Sequence, residues 1–171
     1  MKSLFFGSVL LLFFAVTAHA EVDPHSYAEP SKVTMIALDL GLDVDFTSKE
    51  LKGTADLSLT WHDAKARELV LDTRDLTIES VKAIGANGSE QDASFSLDKR
   101  DPIFGSAMRI ALKEQVPTVR IRYRTSPKAS GLQWMTPQQT ASKKQPFMFS
   151  QSQAIHARSW VPLQDTPAVR F

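Results

Sequence analysis

Between residues 36 and 61 the chain alternates apolar and polar side chains almost without a break, and that period admits one kind of backbone. Ile36, Leu38, Leu40, Leu42, Val44 and Phe46 hold every even position, with Ala37, Asp39, Gly41, Asp43 and Asp45 between them. After Thr47-Ser48-Lys49-Glu50 the apolar set moves to odd positions: Leu51, Ala55, Leu57, Leu59 and Trp61 stand against Lys52, Thr54, Asp56, Ser58 and Thr60. Successive side chains of a strand point to opposite faces, so a period of two buries one face and wets the other. Two such runs joined by a short polar turn predict an antiparallel hairpin.

Further strand signals follow at short spacing. Residues 68–71, 76–84, 93–97 and 107–112 are short β-rich runs, and Asn87-Gly88 marks a turn after the second of them. From Thr118 to Thr125, Val119, Ile121 and Tyr123 alternate with Arg120, Arg122 and Arg124. The arginine row reads as a solvated strand face that discourages edge-to-edge pairing. No stretch of ten residues carries a helical period. The chain is therefore expected to be all-β and antiparallel, a β-sandwich or a curved sheet. Residues 126–146 are polar and turn-rich, and Leu132, Trp134 and Met135 within them predict an ordered loop.

The first twenty residues lie outside this pattern. Lys2 precedes an apolar run from Leu4 to Val16, and Ala18-His19-Ala20 places small residues at the −3 and −1 positions of a cleavage site. This is the arrangement of a secretory signal peptide, too short for a membrane span. Cleavage after Ala20 implies a secreted or periplasmic protein with no membrane partner. Residues 21–32, with two prolines, read as a polar leader that is extended or loosely attached, and residues 33–171 as one domain. Removing the signal takes away one of the 20 basic side chains and none of the 19 acidic ones, leaving a formal charge of zero. A neutral domain offers no electrostatic reason to bind nucleic acid or an anionic membrane. With no cysteine, the fold rests on its core alone.

Catalytic chemistry is sparse. His25, His62 and His156 stand at no metal-ligand spacing, and neither a G-x-S-x-G elbow nor a phosphate-cradling glycine loop is present. Ser150 or Ser152 with His156 and Asp165 assemble the residue types of a hydrolytic triad, but closeness in sequence is not triad geometry. His156 reads instead as a structural hydrogen-bonding residue. Gln151 and Gln153 offer donors and acceptors two residues apart, so in an extended stretch one faces the protein and the other a ligand. Ala154 is small enough for a ligand backbone to approach. Two glutamines tying loops together is the equal alternative.

The segments SGLQWMTPQQT (Ser130–Thr140), FMFSQSQAIHARSWVPLQDTP (Phe147–Pro167) and LDLGLDVDFTSKELKGTADLSL (Leu38–Leu59) resemble the N-terminal domain of the M1 zinc aminopeptidases, within it the leukotriene A4 hydrolase and aminopeptidase B branch. The resemblance implies a saddle-like β domain covering one side of a catalytic domain, with the zinc ligands and catalytic glutamate downstream in that second domain. It implies that Ser152, Gln153 and Ala154, and less directly Gln151, line the substrate cleft, with Gln153 helping to hold the free amino end of a peptide. Many family members carry an acid at the position of Gln153. Ser152 and Ala157 stand where animal leukotriene hydrolases have cysteines, which with the signal favours an exported bacterial aminopeptidase. On this reading the sheet is incomplete at the C-terminus. Leu132, Trp134, Trp160 and Val169-Arg170-Phe171 lead toward a catalytic domain in cis. The chain alone binds no zinc and is inactive. The alternative is a stand-alone or paralogous non-catalytic β-sandwich that binds peptides.

Overall fold

The computed structural model describes residues 23–170, so the signal sequence and its cleavage site lie outside the described residues. Ten strands follow in chain order: β1 (Val33–Asp45), β2 (Glu50–Trp61), β3 (Glu68–Thr73), β4 (Thr77–Ile84), β5 (Glu90–Asp92), β6 (Ser94–Leu97), β7 (Ser106–Ala111), β8 (Thr118–Arg124), β9 (Leu132–Met135) and β10 (Phe147–Ser150). They form a five-stranded sheet in the order β1-β2-β8-β4-β5, a three-stranded sheet β3-β7-β6 and a two-stranded ribbon β10-β9. Every strand pair is antiparallel. The fold is the all-β, open antiparallel architecture read from the alternation.

The core lies between the two larger sheets. Leu57 and Leu59 of β2, Val119, Ile121 and Tyr123 of β8 and Val81 of β4 meet Leu69 and Leu71 of β3 and Met108 and Ile110 of β7. Each fully buried aliphatic side chain contributes about 1.5–3 kcal/mol relative to exposure. The β1–β2 hairpin has the predicted turn, and Gly53 sits where the two strands come closest. A Cβ there would stand 2.0 Å from the Gly41 carbonyl oxygen, so no other residue fits.

Three expectations need correction. First, the even-numbered face of β1 is not uniformly buried. The register slips between Met35 and Ala37, so Ile36 is bulged outward and 54% exposed, while Val33 and Met35 enter the core ahead of it. Beyond the bulge Leu38 and Leu42 reach only the margin of the core, and Leu40, Val44 and Phe46 are exposed. β1 is the edge strand of its sheet, and the facing layer has only three strands. Second, β8 is the central strand of the five, so its arginines have no edge to protect. They ion-pair along the sheet: Arg120 with Asp56 of β2 and Glu90 of β5, Arg122 with Glu79 of β4, Arg124 with Glu50 of β2. Third, residues 132–135 are not loop. They pair with residues 147–150 as a ribbon, in register from Phe147 opposite Met135 to Ser150 opposite Leu132.

The polar leader is docked where it is described. The Ser26 hydroxyl and the Tyr27 amide both donate to the buried Asp72 carboxylate, at 2.6 and 2.8 Å. At the other end of the chain, residues 161–169 fold back over the same sheets. The Asp72 amide donates to the Leu163 carbonyl at 2.7 Å, and Val161, Leu163 and Val169 join the main core.

Candidate functional site

The two-stranded ribbon carries the polar block. Leu132 packs with Leu51 and Ala129 in a small second core, with Trp134, Met148 and Trp160 against it. Val169 is also buried within the domain. Leu132 and Val169, expected to lead toward a partner, are therefore spent on internal packing, and Trp134 and Trp160 are partly so. Leu132, Trp134 and Trp160 reach the small cluster beside Leu51 of β2, whereas Val169 joins the main core. Phe147 and Phe149, on the other side of the ribbon, stay exposed.

Beyond β10 the chain leaves the extended conformation. The Gln151 amide donates to the Gly131 carbonyl at 2.9 Å, and the chain then turns through residues 153–156 into a short 3-10 helix, Ala157–Ser159. The expectation that Gln151 and Gln153 alternate across a strand is thus corrected: the ladder ends at Ser150 and a turn replaces it. The peptide between Gln153 and Ala154 is cis. Within this turn the side-chain oxygen of Gln151 accepts from the Gln153 amide at 3.2 Å, and the Ser152 hydroxyl accepts from the Trp160 indole N–H at 3.0 Å. The His156 amide donates to the Ser152 carbonyl at 2.9 Å. Gln151 Oε1 and the Ser152 hydroxyl are thus engaged within the turn, and Gln151, Gln153 and Ala154 are all exposed on it while Ser152 is half-buried. The four residues singled out from the sequence lie together in this one turn.

The turn sits close on its support. A Cβ on Gly131 would lie 2.6 Å from the His156 carbonyl oxygen and 2.8 Å from the Trp160 ring. In the space that glycine leaves, the Gly131 amide donates to the Ser159 hydroxyl at 2.9 Å, and that hydroxyl donates to the His156 carbonyl at 2.7 Å.

His156 is a structural hydrogen-bonding residue, as expected. Its Nδ1 stands 2.9 Å from Arg74 Nη2 and 2.8 Å from the Ser130 hydroxyl. A guanidinium only donates, so Nδ1 accepts and the ring proton sits on Nε2. The same Arg74 reaches the Ile155 carbonyl and, through Nη1, the Ile103 carbonyl. Burial, then the neighbouring Arg158, holds the Arg74 guanidinium below its ordinary value.

No triad forms. The Ser152 hydroxyl is held by Trp160, His156 by Arg74 and Ser130, and Asp165 by Arg158. Arg158 is fully buried and runs beneath the turn, with Nε 2.9 Å from the Asp165 carboxylate and Nη1 3.5 Å from Asp72. Asp72 also accepts from the Asp165 amide at 2.9 Å. Burial still pushes the Asp72 carboxyl above its ordinary range despite these bonds and the adjacent cation. The buried structural glutamine is one the sequence did not single out. Gln164 donates to the Val33 carbonyl and accepts from the Met35 amide, satisfying the outer edge of β1. Nothing in the local sequence marks Arg74, Arg158 or Gln164: each takes partners from distant segments, Arg74 from residues 130 and 156, Arg158 from residues 72 and 104 beside the nearby Asp165, and Gln164 from residues 33 and 35.

Beside the tip of the turn lies an apolar cleft of about 480 Å³, lined by Ala154 and Ile155 together with Asp23, His25, Leu163 and Val169. Among the described residues no group of three or more His, Cys, Asp or Glu side chains is placed to hold a metal ion, so no step is derived through zinc here. No helix among them is long and apolar enough to cross a membrane.

Residues 24–170 match the Peptidase M1 N-terminal domain. The chain is 41% identical over 154 residues to leukotriene A-4 hydrolase of Xenopus laevis, covering 87% of this chain and 24% of that protein. It is 45% identical over 132 residues to leucine aminopeptidase 2 of Yarrowia lipolytica, covering 75% of this chain and 20% of that one. Its fold superposes on native leukotriene A4 hydrolase from Saccharomyces cerevisiae with a TM-score of 0.78 at 33% identity, over 89% of this chain and 24% of the other. The chain thus spans about a quarter of the length of these relatives. A double-layered antiparallel domain and a match along nearly all the described residues converge on one assignment: this chain belongs to the M1 peptidase family and forms its N-terminal domain.

Proposed function

We propose that this domain lines the substrate cleft of an exported zinc-dependent aminopeptidase that removes N-terminal residues from peptides. The zinc and the groups that activate water lie in a catalytic domain outside this chain. Gln153 accepts a hydrogen bond from the free ammonium of the peptide, and Ala154 leaves room for the substrate backbone. Gln151 and Ser152 hold that tip in place. The observation that supports this reading most is the difference in side-chain bonding along the exposed turn. Gln151 Oε1 accepts from the Gln153 amide and the half-buried Ser152 hydroxyl from Trp160, whereas the exposed Gln153 side chain bonds no other group among the described residues. Gln153 is neutral, so it orients the amine without adding charge, and the electrostatic share of anchoring falls to a carboxylate outside this chain. Export is supported by the basic, apolar and small-residue order of residues 1–20.

The test is Gln153→Ala in the intact enzyme, assayed on an unblocked peptide. A hydrogen bond to a charged group is worth about 1.5–3 kcal/mol, so kcat/KM should fall roughly ten- to a hundred-fold with no loss of melting temperature. Unchanged kinetics would make Gln153 a bystander. An open reading frame beyond Phe171 without an H-E-x-x-H motif would instead favour a non-catalytic peptide-binding paralogue.

A further inference from the structure

On the flank of the turn is a second cleft, of about 240 Å³, whose lining includes Arg74, Asp75, Arg100, Lys128, Ser130 and His156. We propose that it binds a phosphate-type dianion. The charge balance points that way. Three cations and one carboxylate line the cleft, a formal excess of two positive charges. Arg100 takes up the one carboxylate, with Nε and Nη2 on Asp75 at 2.6 and 2.9 Å. Arg74 and Lys128 make no ion pair among the described residues. Arg74 is the more telling of the two. It is half-buried, and its acceptors are the Ile103 and Ile155 carbonyls, the Ser130 hydroxyl and a neutral imidazole, all uncharged. Burial and then the nearby Arg158 weigh against its charge; Asp75 and Asp165 favour it from nearby, but they are bonded to Arg100 and Arg158, so no carboxylate contacts Arg74 directly.

The donors suit an oxyanion. Arg74 bonds through its two terminal nitrogens, so its Nε–H has no acceptor among the described residues, nor has the Nε2–H of His156. The Ser130 hydroxyl accepts from Arg74 at 2.6 Å and turns its own proton to His156 Nδ1 at 2.8 Å, so it positions the donors rather than adding one. Guanidinium, ammonium and imidazole N–H around a small cavity is a donor-rich lining with one carboxylate, and that carboxylate is already engaged.

The experiment is an isothermal titration of the intact protein with inorganic phosphate at mildly alkaline pH, ionic strength held constant with sodium chloride. One saturable site is expected. Lys128→Gln, which removes an exposed cation that bonds no other side chain, should weaken it about tenfold or more, as should Arg100→Gln. Arg74→Gln should abolish it. Because Arg74 also supports the turn, the first two variants carry the test if that third one does not fold. Absence of saturable heat, or equal affinity in wild type, Lys128→Gln and Arg100→Gln, overturns the proposal. General salt stabilisation would be non-saturating and identical in all variants.

Discussion

Replacing Gly131 by alanine adds a single methyl group at the point where the ribbon supports the turn. That carbon would stand 2.6 Å from the His156 carbonyl oxygen, 2.8 Å from Trp160 and 3.0 Å from the Ser159 hydroxyl. Two of these neighbours are poorly able to yield. The His156 carbonyl is main chain, and the Trp160 indole is tied to Ser152. Overpacking of this kind costs about 1–3 kcal/mol. The shift also strains the bonds from Gly131 N–H to Ser159 and from Gln151 N–H to the Gly131 carbonyl, each worth about 1 kcal/mol. With both bonds lost the sum is roughly 3–5 kcal/mol, or about 6–20 °C of melting temperature for a domain of this size. Since the displaced carbonyl belongs to the turn that presents Gln153, KM for a peptide should rise as well. Gly88→Ala is the control. Nothing lies within 4 Å of a Cβ there, but φ is +80°, so it should cost about 1 kcal/mol with no kinetic effect. A Gly131→Ala protein that melts and turns over like wild type would refute the claim that the turn is rigidly seated on Gly131.

Two other perturbations follow from the buried polar groups. Arg158→Met removes the cation between Asp72 and Asp165 and leaves Asp72 buried and unpaired, so a loss of about 3–5 kcal/mol is expected in chemical denaturation; a loss under 1 kcal/mol would show that Asp72 is neutral or well solvated. Burial pushes the Tyr123 phenol well above its ordinary value of 10.0, and it donates to the Trp160 carbonyl at 3.0 Å. Above about pH 10 the unfolded phenol ionises while the folded one does not, so stability is full below that pH and falls above it by up to about 1.4 kcal/mol per unit. Tyr123→Phe should remove that part of the alkaline slope in pH-dependent melts, and an identical slope would sink the assignment.

How much was legible in the sequence depended on the range of the interaction. The β1–β2 hairpin was plain because side-chain period and turn chemistry are local. The same alternation misjudged burial along β1, since exposure depends on what lies above the strand. Ile36 looks like core in the sequence and is bulged into solvent, and the alternation did not reveal that β1 would be a sheet edge. The arginine row of β8 was correctly read as solvated. Its position was misread because strand order is not a local property. Gln151, Ser152, Gln153 and Ala154 were singled out as candidates through the resemblance of their whole block. The turn that holds them was missed because it depends on Gly131 and Trp160. Arg74 and Arg158 escaped notice entirely, since a lone arginine has no pattern to announce it.

The sequence by itself determined that this chain is an antiparallel β domain, and its ordered blocks were enough to point to the family. Alternation follows from the geometry of one strand, and block identity needs no coordinates. Tertiary structure decided which polar groups find partners within the domain. Folding brings residues 74, 130 and 131 against residues 151–160, so His156 takes Arg74 and Ser130 and the Gln151 amide takes the Gly131 carbonyl, while the Gln151, Gln153 and Ala154 side chains stay exposed. The physical reason is satisfaction of buried groups: donors and acceptors that leave water must find partners, and here many of those partners come from segments distant along the chain, which no local pattern records.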